Sequence, residues 1–298
     1  MMHLRALYLF SQVRHVLLAS LILTTFTGCS ESSSPDVADS EESIRAMTFN
    51  IRWASPNDGA HVWENRSDWV SALIDTSSAD FVGLQEVTHR QLVDIMAVQD
   101  RFDWIGVGRD DGLQGGEYSP ILFDSSRFEL VSWDTKWLSA TPDVVGSVGW
   151  DAALPRVATR AQLRDVRTEQ VIRVINTHFD HRGNEARVQS AAMIGDWSET
   201  HDLALGDFNI EPASEAYQMM IEGGWIDAGL NPPILPAEPG TFRTFDPGSE
   251  TSVRIDFIFH RPAWKVTSYE VLDPIVGGAY PSDHLPVVAD LVRLSPTH

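Results

Sequence analysis

Six times between Met47 and Val288, a short apolar run that reads as a β-strand ends on, or is interrupted by, a polar side chain that hydrocarbon cannot hold unpaired. Asn50 closes MTFN, Glu86 follows GLQ, and His178 ends VINTH. Asp207 and Asn209 sit in ALGDFN, Asp256 lies inside RIDFIF, and Asp283 and His284 fall within SDHLPV. Taken singly, each has a bland explanation as a turn residue, a cap or a satisfied core histidine. Unpaired burial of such groups is costly, so six in one domain must be hydrogen-bonded or bound to something. Chemistry in this chain is concentrated at strand ends.

The surrounding pattern mixes both periods. Short apolar or alternating runs bounded by turn residues predict strands over 44–49, 80–85, 120–123, 128–133, 157–163, 171–178, 203–206, 254–260, 266–272 and 285–294. Helices are predicted over 63–77, 89–98, 184–199 and 212–222, the last with Pro212 in its first turn and Gly223-Gly224 as its stop. Strands outnumber helices, and the arrangement implies an α/β fold of two packed sheets flanked by helices. No internal repeat and no second Ser/Pro-rich linker divides residues 44–298, so they are read as one domain.

The first 43 residues read differently. Val16 to Thr27 is an apolar stretch of about a dozen residues, the length of a signal-peptide core and short for a membrane span. It runs into Phe26-Thr27-Gly28-Cys29, which resembles a bacterial lipobox although Phe stands where Leu is usual. Residues 1–28 are therefore expected to be a lipoprotein signal peptide, with Cys29 lipidated. Residues 29–43, acidic and almost without apolar groups, are expected to be a flexible tether. The address implied is the bacterial cell envelope, lipid-anchored at the outer membrane or periplasm, or secretion. The protein is expected to work as a monomer.

Charge narrows the partner class. The 298 residues carry 22 basic against 42 acidic side chains, a net charge of −20, and only two of the bases are lysines, Lys136 and Lys265. A broad phosphate-neutralising surface needs more positive groups than this, so a nucleic-acid partner is disfavoured.

The ordered set TFN, LQE, NTH, GDFN, IDFIF and SDHLPV resembles the endonuclease/exonuclease/phosphatase superfamily, over about Met47 to Val288. The segments WENR, GRDDG, GGEYSPI, WDAALPR and HFDHRGNEAR resemble a bacterial branch distinct from the nucleases. The resemblance implies a four-layer α/β sandwich with the active site at one edge of two mixed sheets. It also implies a phosphoesterase, favoured here as a phosphodiesterase, that uses Mg2+ or Mn2+ for in-line attack of water on a small or lipid-linked phosphate. A secreted nuclease and a non-catalytic binding module are the alternatives.

Carried over residue by residue, the resemblance makes Glu86 the principal metal ligand, with Asn50 and Asp283 completing the metal site. Asp207 would orient or deprotonate the attacking water, assisted by Asn209. Asp256 and His284 would form a dyad, and His178 with His284 would donate to the phosphate. Glu117 would partner His178. Arg52 stands where some relatives carry an acid, which disfavours a second tightly bound metal and leaves Arg52 free to touch substrate. Arg182 and Arg187, following His181 where a loop enters a helix, are candidate phosphate ligands because helix N-termini attract anions. His181 joins them as a substrate-binding candidate.

Overall fold

A computed structural model describes residues 43–197, 202–230 and 240–294. The expected signal peptide, the lipidated Cys29 and the tether up to residue 42 lie outside the described residues. Ser43, expected in the tether, is instead the first residue of β1 and pairs with Val292.

Among the described residues, twelve strands form two six-stranded sheets. The first contains β1 (Ser43–Asn50), β2 (Phe81–Gln85), β3 (Phe102–Ile105), β4 (Ile121–Asp124), β11 (Trp264–Val271) and β12 (Val287–Arg293), in the order β11-β12-β1-β2-β4-β3. The second contains β5 (Phe128–Trp137), β6 (Val157–Asp165), β7 (Val171–His178), β8 (Asp202–Asp207), β9 (Ile226–Asp227) and β10 (Asp256–His260), in the order β5-β6-β7-β8-β10-β9. Each sheet is mixed, with β1 parallel to β2 and β7 parallel to β8. A parallel pair needs a long crossover, and helices supply both: α1 (Trp63–Thr76) links β1 to β2 and α3 (Asn184–Trp197) links β7 to β8. Among the described residues, two further α-helices are α2 (His89–Met96) and α4 (Glu215–Glu222).

The two-residue side-chain period sorts the core into layers. Along β1, Ile44 and Ala46 face the opposite sheet beside Leu205 and Ile258, while Met47 and Phe49 pack outward with Trp63, Val70 and Ile74 of α1. On the other flank, Ile175, Ala204 and Phe257 pack with Ala191 and Ile194 of α3 and Met220 of α4. Three apolar cores separating helix, sheet, sheet and helix make the four-layer sandwich that the family resemblance implies.

Near the strand ends the inter-sheet core turns polar. The amide of Gln85 donates to Oδ1 of Asn176 at 2.7 Å, and that of Asn176 donates to the carbonyls of Leu84 at 2.7 Å and Pro120 at 2.8 Å. All three side-chain contacts cross between sheets. Gly83 makes the approach possible, because a Cβ there would lie 2.6 Å from Asn176 Oδ1.

Several predicted elements shift. Strands β3 and β9, four and two residues long, were not expected. Pro212 lies before α4 rather than in its first turn, and Ser214 caps the helix by accepting from the Tyr217 N–H. The end expected for the third helix, at residue 199, falls outside the described residues. Among the described residues no helix is long and apolar enough to cross a membrane.

Candidate active site

The two parallel pairs bring four strand ends together. Asn50 is in register with Gln85, just before Glu86, and His178 is in register with Asp207, which pairs with Asp256 at the start of β10. These residues and the loop carrying Asp283 and His284 surround a cleft of about 440 Å³. Its wall includes Arg52, Glu86, Glu117, His178, His181, Asp207, Asn209, Asp283 and His284, with Asn50 and Asp256 supporting from behind.

Asn50 is fully buried and links two carboxylates. Its Nδ2 donates to Glu86 Oε1 at 3.1 Å and to Asp207 Oδ2 at 2.9 Å. The second Glu86 oxygen accepts from the Trp53 N–H at 3.0 Å. Glu86 (φ 60°), Arg52 (φ 58°) and Asn209 (φ 49°) all adopt the left-handed backbone region, uncommon for residues with a Cβ and typical of functional sites. The last is fixed on both sides, its N–H donating to Asp207 Oδ1 at 3.0 Å and its Nδ2 to the Phe179 carbonyl at 3.1 Å.

The expected dyad is present. Nδ1 of His284 bonds Oδ2 of Asp256 at 2.9 Å, and Nε2 lies 3.8 Å from Asp207. Burial alone would lower the imidazole's pKa, but the charges of Asp256, Asp207 and Asp283 and the Asp256 bond outweigh it and hold the ring cationic. His178 is the opposite case. Burial first, and then the charges of Arg156 and Arg109, lower its pKa well below the ordinary value. Its Nε2 sits 3.4 Å from Asp207. Asp207, enclosed by both rings, is pushed up to about 7 by burial and then by Asp256.

Two observations bear on a divalent cation. Glu86 and Asp283 line the same cleft, and Asp283 is raised by burial and by the charge of Glu86, opposed by His284 and Arg52. Two oxygen donors that repel each other beside open space suit a hard cation that keeps several waters. Ligand atoms of Asp207, Asp256 and His284 also lie within 4.8 Å of one another. Asp256 and His284 are already bonded to each other, whereas neither Glu86 nor Asp283 is tied to a histidine, so Glu86 and Asp283 are the better fit.

The remaining candidates divide. Glu117 lines the cleft, but its carboxylate is clasped by both Nη atoms of Arg109, at 2.6 and 2.9 Å, and stays 3.9 Å from His178 Nδ1. The pair expected with His178 is therefore a contact without a hydrogen bond. Arg52 reaches the cleft while bonded to Asp58 at 3.0 and 3.1 Å. Arg182 and Arg187 do not line it. Arg187 donates to the Asp180 carbonyl and to Asn184, and the N-terminus of α3 is already occupied by Asp151, whose carboxylate accepts from the N–H groups of Ala186 at 2.8 Å and Glu185 at 3.3 Å. The anion-attracting end predicted for substrate is used internally.

Sequence reasoning missed Arg156, Trp53 and Phe242 on the cleft wall. Arg156 was visible only as part of WDAALPR. It also missed Arg66, 1% exposed, which donates to the carbonyls of Ile51, Arg52 and Pro281 and so ties the β1 end to the loop bearing Asp283.

Comparison with known proteins places this architecture among relatives. A model of the Endonuclease/Exonuclease/phosphatase family matches residues 47–284. A Bacteroides thetaiotaomicron protein of that family is 34% identical, with a TM-score of 0.81 over 85% of this chain and 98% of its own. A mannosyl-6-phosphatase from the same organism is also 34% identical, with a TM-score of 0.79 over 84% of this chain and 99% of its own. The catalytic domain of human nocturnin, solved with bound sulfate, shares the fold at 21% identity and a TM-score of 0.67, over 85% of this chain and 95% of its own. No curated protein sequence matches the chain.

Proposed function

Since the chain belongs to the endonuclease/exonuclease/phosphatase family, whose members are phosphoester hydrolases, we propose that it hydrolyses a small phosphate ester with Mg2+ or Mn2+. The observation that carries the reading is Asp207, buried between His178 Nε2 at 3.4 Å and His284 Nε2 at 3.8 Å and tied through Asn50 to Glu86.

Glu86 and Asp283, with Asn50 behind them, would hold the cation, which when bound polarises a phosphoryl oxygen and offsets developing negative charge. Asp207 orients a water for in-line attack and accepts its proton, with Asn209 fixing the carboxylate. The water oxygen forms a new bond to phosphorus, the ester P–O bond breaks, and the leaving oxygen takes up, by way of solvent, the proton that Asp207 accepted. His284, kept cationic and aligned by Asp256, donates to the phosphoryl group as charge builds. His178, uncharged, supplies a second donor from the opposite side.

A carbohydrate phosphate is the favoured substrate, supported by the 34% identity to a mannosyl-6-phosphatase. Trp53, 37% exposed at the cleft wall, offers a face on which a sugar ring stacks. Attachment to a bacterial envelope through Cys29 belongs to the same reading and rests on the sequence alone. Release of inorganic phosphate from a panel of sugar phosphates by the full chain tests it. Turnover should fall by roughly 10² or more in Asp207→Asn, and equal turnover in a folded variant contradicts it.

A further inference from the structure

Arg156 lines the cleft, is 4% exposed, and is poorly compensated. Its Nη2 meets Nδ1 of His181 at 3.0 Å, its Nε reaches Asp180 Oδ2 only at 3.5 Å, and its Nη1 has no hydrogen-bond partner among the described residues. Asp180 is already shared, accepting from the N–H groups of Arg182, Gly183 and Ala153. The neighbouring arginines are in a different state, Arg109 being clasped by Glu117 and Arg52 by Asp58. A buried guanidinium gives up hydration that a close anion restores. Beside it, Nδ1 of His178 is also without a partner.

The His181 contact carries further information. Arginine only donates, so Nδ1 of His181 accepts, and the proton of a neutral ring is on Nε2. The cleft wall therefore carries both signs of charge, the carboxylates of Glu86 and Asp283 and the guanidinium of Arg156 bonded to His181. A diester offers two non-bridging oxygens and one charge. A monoester dianion offers three oxygens and two charges, enough to engage a cation at the carboxylates and Arg156 at once.

We propose that Arg156, with His181, binds the third non-bridging oxygen of the substrate phosphate and so selects phosphomonoester dianions over diesters. The proposal rests on the hydrolase reading above and departs from the diester expected from sequence. In a diester the third position is esterified, uncharged and a poor acceptor for a guanidinium.

The test compares the full chain with Arg156→Met and Arg156→Lys on p-nitrophenyl phosphate and methyl p-nitrophenyl phosphate at saturating Mg2+. The wild type should favour the monoester in kcat/KM. Arg156→Met should lose about 10–100-fold on the monoester but less than about threefold on the diester, with Arg156→Lys recovering part of the loss. Equal losses on both esters, or a wild type that prefers the diester, overturn the proposal. Should Arg156→Met fail to fold, wild-type inhibition decides: inorganic phosphate should compete and dimethyl phosphate at equal concentration should not, while equal inhibition overturns it. If the wild type turns over neither ester, the hydrolase reading fails. Charge selection is then still decided by whether inorganic phosphate raises the Tm of the wild type more than that of Arg156→Lys, an equal rise overturning it.

Discussion

Nδ1 of His284 lies 2.9 Å from Oδ2 of Asp256, two buried side chains brought together by the pairing of β10 with β8 and the loop that leads into β12. The carboxylate fixes which ring nitrogen faces Asp207 and keeps the imidazole cationic against the cost of its burial. That relationship makes the pair a single unit.

Asp256→Asn keeps the shape but removes the charge that sustains the imidazolium. We expect kcat to fall by about 10²–10³ with KM changed less than about threefold, because the lost interaction strengthens only in the transition state. Steady-state kinetics on the purified variant measures this, and wild-type turnover would show that the dyad has no catalytic part.

Asn50 holds Glu86 and Asp207 in one frame through a single amide. Asn50→Ala should raise the Mg2+ concentration needed for half-maximal activity by about tenfold or more, as loss of groups that orient metal ligands does. A metal titration checks it, and an unchanged midpoint contradicts the assignment.

Asp180 makes a prediction about stability and pH. Burial pushes its carboxyl up, but the N–H groups of Gly183, Arg182 and Ala153 and the Arg156 guanidinium outweigh burial and hold it at about 2. A folded-state pKa below the ordinary 3.8 contributes stability that is present above that value and is lost as pH falls toward 2. Asp180→Asn should therefore cost about 1–2 kcal/mol at pH 7. The gap between wild type and variant in urea denaturation should narrow below pH 4, and a gap that widens on acidification would contradict it.

How much of this was legible in the sequence follows from which interactions are local. Asn50, Glu86, His178, Asp207, Asp256 and His284 stood out because each breaks an apolar run, and a strand end is a local feature. Their convergence follows from the two parallel pairs, which the helical crossovers between them impose. Arg156 was illegible because its meaning lies in what it lacks, a partner for Nη1, and a proline-arginine step in a loop looks like any charged turn. Arg187 was misread for the reciprocal reason. The helix end beside it does attract an anion, but Asp151, more than thirty residues earlier, fills it. Strands β3 and β9 are too short to carry a period, and only their neighbours β4 and β10 define them.

We propose that Glu86 and Asp283 hold a divalent cation on which hydrolysis depends. The most direct measurement is turnover of p-nitrophenyl phosphate and methyl p-nitrophenyl phosphate by the full chain after exhaustive EDTA treatment, and again after Mg2+ or Mn2+ is returned, with Glu86→Gln in parallel. We predict that chelation abolishes activity, that either metal restores it, and that Glu86→Gln is not rescued at metal concentrations that saturate the wild type. Activity that survives chelation, or a Glu86→Gln variant that responds to metal as the wild type does, would mean that hydrolysis does not depend on a cation held by Glu86.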